Sequence, residues 1–530
     1  MLYLAAALCL LPVLALAWQA AQGSAGLWSH LAAHVLPRAS FNTLLLLLGV
    51  GVLSGAIGVG AAWLVSAYRF PLRDTLGWML LLPLAVPTYI VAFAYIDLLH
   101  PLGPLQGGLR WLLGYDSPRQ WRLPDLRSIW LAIVLLSLVL YPYVYLTCRA
   151  LFATQSAGLI EAGRMLGLGR RAVFWRLVLP MARPALAVGV ALVLLETLND
   201  IGASEFLGVQ TLTVAIHTTW VTRGDLAGAA QIALALLALV LLLIALERHG
   251  RRRQRFAGSG QRMRPIQPQR LHGRRALTVM ALCALPVLFG FALPALHLAW
   301  QVFERLGEGQ GPSTALLSAA GNTLKVALIA TAVTLVIGVL LAWALRLAQQ
   351  RRAFARAQAA FRLSTLGYAL PGTVLAIGLL AVYGGIDAAF GRALLMGSMS
   401  ALVLAYTLRF LAISAGTLDA GFARVPASVD QAAASLGCNG WQRLWRVHLP
   451  MLRPALAASA LLVLVDAMKE LPATLMLRPL NFETLSTWLY AEAARGTYEE
   501  GALAGLMIVA VGLLPVIWLA KKGLDGEGAR

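Results

Sequence analysis

Long apolar runs alternate with short polar segments along all 530 positions of the chain. In the first half they fall at about 2–20, 41–67, 76–99, 128–149, 184–203 and 226–246. The second half repeats the programme at about 276–300, 321–347, 363–383, 393–414, 455–470 and 501–520. Most come near the ~20 residues that carry a helix across ~30 Å of hydrocarbon. The pattern predicts an all-α polytopic membrane protein of about twelve transmembrane helices, built as two tandem six-helix domains. Residues 247–275, with ten arginines among Gly, Pro and Gln, cannot build a core and are expected to be a solvated linker. The expected domains are therefore 1–246 and 276–530. The first run lacks a basic leader, and its echo at 276–300 (ALCLLPVL against ALCALPVL) lies too deep to be a signal. It is read as a retained span.

One polar stretch occurs twice. Residues 161–186 read EAGRMLGLGRRAVFWRLVLPMARPAL and residues 431–456 read QAAASLGCNGWQRLWRVHLPMLRPAL. At a register of 270, Gly167 falls on Gly437, Trp175 on Trp445 and Arg176 on Arg446. Each copy has a helical spelling, a glycine that can turn the chain, and a proline, Pro180 or Pro450, expected to stop the helix before the next span. A short helix across one face of the membrane suits either a partner's groove or lipid headgroups. Retention of LPMxRPAL in both copies favours a partner with two equivalent grooves. Asn42-Thr43 and Asn322-Thr323 open corresponding spans and are expected to cap helix starts.

Charge changes the picture in one respect. The chain is 59% hydrophobic and only 12% charged, with 43 Lys+Arg against 23 Asp+Glu. A net charge of +20 raises the question of nucleic acid. The arginines, however, cluster in every second loop, which is the positive-inside bias of a membrane protein and not a binding stripe. That bias places the linker, both termini, loops 68–75 and 346–362 and both repeated loops in the cytoplasm. The external loop 100–127 runs against it, with four arginines offset in part by Asp116 and Asp125. Two six-span halves run in the same direction, so a pseudo-two-fold axis along the membrane normal is expected, with a pathway between the halves. The four cysteines have no metal-ligand spacing. Trp18, Trp63, Trp343 and Trp518 are read as interfacial anchors.

The repeated loop resembles the EAA loop of ABC-transporter permeases, roughly E-A-A-x3-G-x9-I-x-L-P. The matching residues are Glu161, Ala162, Gly163, Gly167, Leu179 and Pro180, and again Gln431, Ala432, Ala433, Gly437, Leu449 and Pro450. The resemblance implies that loops 155–183 and 425–453 are coupling helices docked on a separate, dimeric ATP-binding subunit. The second copy departs at Gln431, where the glutamate is lost; Asp430 is adjacent but faces another side of the helix. Unequal docking is the expected consequence. The chain contains no GxxxxGK[ST] phosphate loop, so it is expected to be a permease subunit and not an enzyme, with no cofactor of its own.

The fused layout, with LLETLNDIGASEFLGVQTLTVAIHTTW after the first loop and LVDAMKELPATLMLRPLNFETLSTWLY after the second, resembles the bacterial ferric-iron permeases. That implies an inner-membrane protein that receives Fe(III) from a periplasmic iron-binding protein. Thiamine permeases share the layout, and polyamine, sulfate and molybdate permeases share the loop. Glu196, Asn199 and Asp200 lie at i, i+3 and i+4, with Asp466, Lys469 and Glu470 as repeat partners. Acids in a span usually line a pathway or pair up; here they either line a path suited to a cation or sit wet at the helix ends. Tyr141, Tyr143 and Tyr145 are weaker candidates, better explained as an aromatic belt, and His217 is read as structural. A proton-coupled secondary transporter and a membrane enzyme are the rivals; no catalytic spelling supports the second.

Overall fold

The computed structural model describes residues 1–24, 26–125, 127–154, 163–252, 268–349 and 354–528. Among these, ten helices are long and apolar enough to cross a membrane, or up to twelve if two bent pairs each count as one span. Most of the expected spans appear within a few residues of their predicted bounds. Three of the departures trace to proline.

The span expected at 76–99 is a bent pair, Arg73–Ala85 and Thr88–Leu98, turned through 90°. Pro87 follows Val86, whose backbone is extended (φ −105°, ψ 120°), because the proline ring excludes the helical region for the residue before it. The span expected at 363–383 breaks in the same way. Leu370 is extended before Pro371, and the continuous helix is Gly372–Phe390. The span expected at 184–203 is displaced instead. Pro180 does not stop a helix there, because a π-helical turn at Phe174–Val178 re-registers the hydrogen bonds just ahead of it. The proline then sits in the first turn of Leu179–Asn199, where its missing N–H costs nothing.

The helices cluster into two compact units that do not follow the linker at 247–275. The first comprises Met1–Leu36, Ala215–Leu237 and Pro312–Ala491; the second comprises Pro37–Val214, Ala238–Gly311 and Glu492–Arg530. Each unit takes the middle of one half of the chain and flanking helices from the other, so the packing units cross the boundaries of the expected sequence domains 1–246 and 276–530. Close backbone approach is the reason. In lipid, apolar helices gain little by meeting one another except where small residues admit a neighbour.

In the first unit, Gly378 lies so near the Leu2–Ala21 helix that an added Cβ would fall 2.3 Å from the Pro12 carbonyl. Cys9 Sγ donates to the Ser364 carbonyl (3.1 Å) beside it. In the second unit, Gly290 meets the Leu138 carbonyl in the same way. There Tyr95 Oη donates to the Phe289 carbonyl (2.7 Å), and Asp97 accepts from His297 Nε2 (2.7 Å) and Gln301.

The Asn-Thr pairs do not cap helix starts. Their helices begin earlier, at Leu36 and Thr314. Thr43 Oγ1 instead accepts from Leu212 N (2.9 Å) while Asn42 Nδ2 donates to the Gln210 carbonyl (3.0 Å). Thr323 Oγ1 accepts from Leu485 N (2.8 Å), and Asn322 Nδ2 donates to the Glu483 carbonyl (3.1 Å). Each pair ties a long span to a distant loop of its own unit. At the end of the linker, Gln269-Arg270 form a two-residue parallel pairing with Tyr68-Arg69.

Candidate functional site: the repeated loops and the membrane elbows

The second copy of the loop is described throughout. Helix Ala427–Ser435 ends at Gly437, which takes the left-handed conformation (φ +79°). Gly437 N donates to the Ala434 carbonyl and Cys438 N to the Ala433 carbonyl, both at 3.0 Å. This pair of bonds satisfies the orphan carbonyls of a helix end, and it requires a residue that tolerates positive φ. Asn439 then opens the next helix with a capping box: its side chain accepts from Gln442 N (2.8 Å), and Gln442 Oε1 accepts from Asn439 N (3.0 Å). The chain passes through a π-helical turn, Leu444–His448, and Leu449–Met451 before a 76° bend into the Arg453–Met468 helix.

In the first copy, Glu161 and Ala162 lie outside the described residues. From Gly163 onward the turn is the same: Gly167 has φ +82°, Gly167 N donates to the Arg164 carbonyl, and Leu168 N donates to the Gly163 carbonyl, both at 3.0 Å. Gly163 is buried against Leu177, as its repeat partner Ala433 is buried. Leu179 and Pro180 are half-buried at the start of their helix, as is Leu449; Pro450 is exposed.

Both turns carry bare apolar side chains. Leu166 and Leu436 are 83% and 84% exposed, and Trp175 and Trp445 are 65% and 56% exposed. These are equivalent positions in the repeat, on short polar loops where water would otherwise be expected. Gln431 and Ala432 are exposed on the same stretch.

The inner side of the second loop holds residues that sequence reasoning did not assign a role. Asp430 faces away from Gln431 into the unit and is 5% exposed. Its Oδ2 accepts from Arg346 Nη2 (2.8 Å) and Nε (3.1 Å), and its Oδ1 is bonded to His448 Nε2 (2.6 Å). Arg346 also donates to the carbonyls of Phe422 and Val425, both at 2.8 Å. One guanidinium therefore joins the end of its own span, the end of the Met399–Ala423 helix and the loop helix. Burial pushes the Asp430 carboxyl up, but the hydrogen bonds from Arg346 and His448 outweigh it and hold the group below the usual carboxylate range. Trp343, expected as an interfacial anchor, is buried and stacks 4.9 Å from the His448 ring. Trp63 likewise packs on Phe152 and Phe174 instead of facing the interface. A signal existed in the sequence: where the second repeat has Arg346, Asp430 and His448, the first has Ser66, Ile160 and Val178.

The six candidate pathway positions, four acids with Asn199 and Lys469, divide by environment. Asp200 follows the last turn of Leu179–Asn199 and is 8% exposed, accepting from Thr88 Oγ1 and from Ser204 N (3.1 Å). Glu470 is its counterpart, 4% exposed, accepting from the amides of Ala473 and Thr474 (both 3.0 Å) and paired with Arg409 (3.2 Å). Both carboxylates cap the short helix after an elbow. Glu196 and Asn199 are half-buried, and Asp466 and Lys469 form a half-buried pair at 2.8 Å. Of the tyrosines, Tyr145 Oη donates to the Gly77 carbonyl (2.7 Å) and meets Arg149, while Tyr141 is wholly buried. His217 packs edge-on against Tyr490.

Comparison with known proteins adds the final element. The family model described as binding-protein-dependent transport system inner membrane component matches twice, at residues 54–256 and 336–522. The Fe(3+)-transport system permease protein FbpB 2 of Haemophilus influenzae is 26% identical over 483 residues, 91% of this chain and 89% of that protein. The ferric transport system permease protein FbpB of Actinobacillus pleuropneumoniae is 23% identical over 89% of this chain and 69% of its own length. The sulfate transport system permease protein CysT of Escherichia coli is 30% identical over 44% of this chain and 84% of its own length.

Proposed function

Because this chain belongs to the family of binding-protein-dependent transport system inner membrane components, we propose that it is the permease of an ATP-driven importer of ferric iron. The observation that carries the iron assignment is similarity running the length of both chains to a protein named as an Fe(3+) permease. The sulfate permease matches less than half of this chain. The partners in this reading are a dimeric ATP-binding subunit and a periplasmic iron-binding protein, with the Arg-rich linker and both repeated loops in the cytoplasm.

Each loop receives one ATPase subunit on its bare leucine and tryptophan, Leu166 with Trp175 and Leu436 with Trp445. Aromatic anchors of this type commonly dominate docking energy. Movement of a docked loop passes into the helix that continues from it, Leu179–Asn199 or Arg453–Met468. At the far ends of those helices stand the half-buried Glu196 and Asn199 and the half-buried Asp466–Lys469 pair, two acids against one lysine, a balance that favours a cation over an anion. Asp200 and Glu470 contribute by holding the elbows. No bond is made or broken on this chain; the ATPase supplies the work.

The test is ⁵⁵Fe(III) uptake by proteoliposomes holding the permease and its ATPase, with iron-loaded binding protein outside. Uptake that requires ATP and falls in Trp175→Ala and Trp445→Ala is the expected result. ATP hydrolysis stimulated by the binding protein without iron uptake would retain the importer and remove the substrate. Uptake indifferent to the ATPase would overturn the reading.

A further inference from the structure

The segment joining Leu98 to Ile129 contains a ten-residue helix, Pro104–Leu113, built inside out. Its polar side chains point inward. Gln106 is 2% exposed, donates to the Leu99 carbonyl (2.7 Å) and accepts from Leu123 N (3.0 Å). Arg110, one turn on, is 8% exposed and donates to the Pro101 carbonyl (2.7 Å). Its apolar side chains point outward: Leu105 is 37%, Trp111 83%, Leu112 73% and Leu113 52% exposed, and Leu102 just ahead of it is 74% exposed.

A helix on a water-facing loop shows the reverse arrangement, polar outward and apolar toward the core. The medium outside this helix is therefore not water. The apolar surface continues where the segment re-enters the membrane, because Trp130 and Val134 in the first turns of the next span are also exposed (66% and 43%). The Ile129–Thr154 helix separates this segment from the first repeated loop by 26 residues, about 39 Å at 1.5 Å per residue. The two lie on opposite faces of the membrane.

We propose that Pro104–Leu113 lies flat in the lipid interface of the leaflet opposite the first repeated loop, with its leucines and Trp111 among the upper acyl chains. This is the geometry of an interfacial amphipathic helix, in which tryptophan marks the boundary. The exposed Arg119 and Arg122 on the returning segment of the loop face the lipid phosphates, while Arg127, also exposed, donates to Tyr498 Oη (3.4 Å). That accounts for Arg119 and Arg122 among the arginines that break the positive-inside bias in this loop. Through Gln106 and Arg110 the lipid-borne helix grips the carbonyls of Leu99 and Pro101, at the end of the Thr88–Leu98 helix. It thereby sets the depth of the elbow that packs against Asp200 through Thr88.

The experiment uses the full-length permease in nanodiscs, with Cys438→Ser to remove the one native cysteine that is not buried. A nitroxide is attached in turn at Leu105→Cys, Leu112→Cys and, as a control on the polar side of the loop, Gln120→Cys. Power-saturation EPR then compares collisions with oxygen, which partitions into lipid, and with a water-soluble nickel chelate. Oxygen should dominate at positions 105 and 112 and nickel at 120. Nickel dominating at 112 would overturn the proposal, since the face would then be wet. Shielding from both probes at 112 would also overturn it, in favour of a protein seated on the helix. None of these variants alters Gln106 or Arg110, so the helix keeps its attachments in each.

Discussion

The two repeated loops present the same outer face on different seats. Outside, Leu166 matches Leu436, Trp175 matches Trp445, and the left-handed glycines Gly167 and Gly437 end their helices with identical hydrogen bonds. Inside, the first loop rests on aromatic rings: Trp63 meets Phe152 edge-on at 5.7 Å and Phe174 at 5.9 Å. The second keeps the tryptophan and one phenylalanine, Trp343 and Phe422, but inserts His448 between them at 4.9 and 5.4 Å and adds the Arg346–Asp430 pair. The onward helix differs too. It runs unbroken from Phe174 to Asn199 in the first copy and bends by 76° after Met451 in the second. In the proposed function the outer face fits a surface that the chain does not own, which would hold both copies to the same shape. A seat need only fit its own span, and the two have diverged there.

The largest expected effect breaks the ionic seat. Arg346→Met leaves the buried Asp430 carboxylate without its main partner, a change that typically costs about 3–5 kcal/mol. The detergent-solubilised protein should lose thermal stability accordingly. Importing the first seat whole, as Arg346→Ser, Asp430→Ile and His448→Val together, should recover most of that loss, because an apolar seat of similar volume is often as stable as a buried pair. An unchanged melting temperature in Arg346→Met would mean that the seats are equivalent after all.

A smaller effect tests the shared face. Gly167→Ala and Gly437→Ala each force a side chain into positive φ, at a cost of roughly 1–2 kcal/mol. Neither glycine has an atom within 4 Å of an added Cβ, so strain alone is measured. ATP-dependent uptake should fall in both. Loss in only one would show that the outer faces, too, have diverged.

The smallest effect is confined to acid. The Asp430 carboxyl is held below its usual value when folded, so its stabilisation is complete above the unfolded value of about 3.9. It is lost as the pH falls through the lower folded value. Asp430→Asn should flatten the acid limb of the stability profile, and near pH 7 neither form should show a slope from this group. In the sequence of the first loop the matching position is Ile160, which does not titrate.

Much of the site was legible because its features are local. A glycine three residues before a polar helix restart and a repeat at fixed register can both be read one segment at a time. The misreadings arose where a residue acts at a distance. Asn42-Thr43 looks like a cap because it begins an apolar run, yet its partners are Gln210 and Leu212. Trp63 and Trp343 look like interfacial anchors by composition alone, and only their neighbours reveal a seat.

The apolar runs by themselves determined an all-helical membrane chain in two similar halves, because in hydrocarbon a backbone must satisfy its own hydrogen bonds over a fixed length. Repetition determined which two loops carry the same turn and the same exposed leucine and tryptophan. Tertiary structure alone decided which helices pack together, joining Met1–Leu36 to Pro312–Ala491 and Glu492–Arg530 to Pro37–Val214. Every lipid-facing helix is apolar, so hydrophobicity cannot choose among neighbours. The choice falls to close backbone approach and a few buried polar contacts, which only the folded chain brings together.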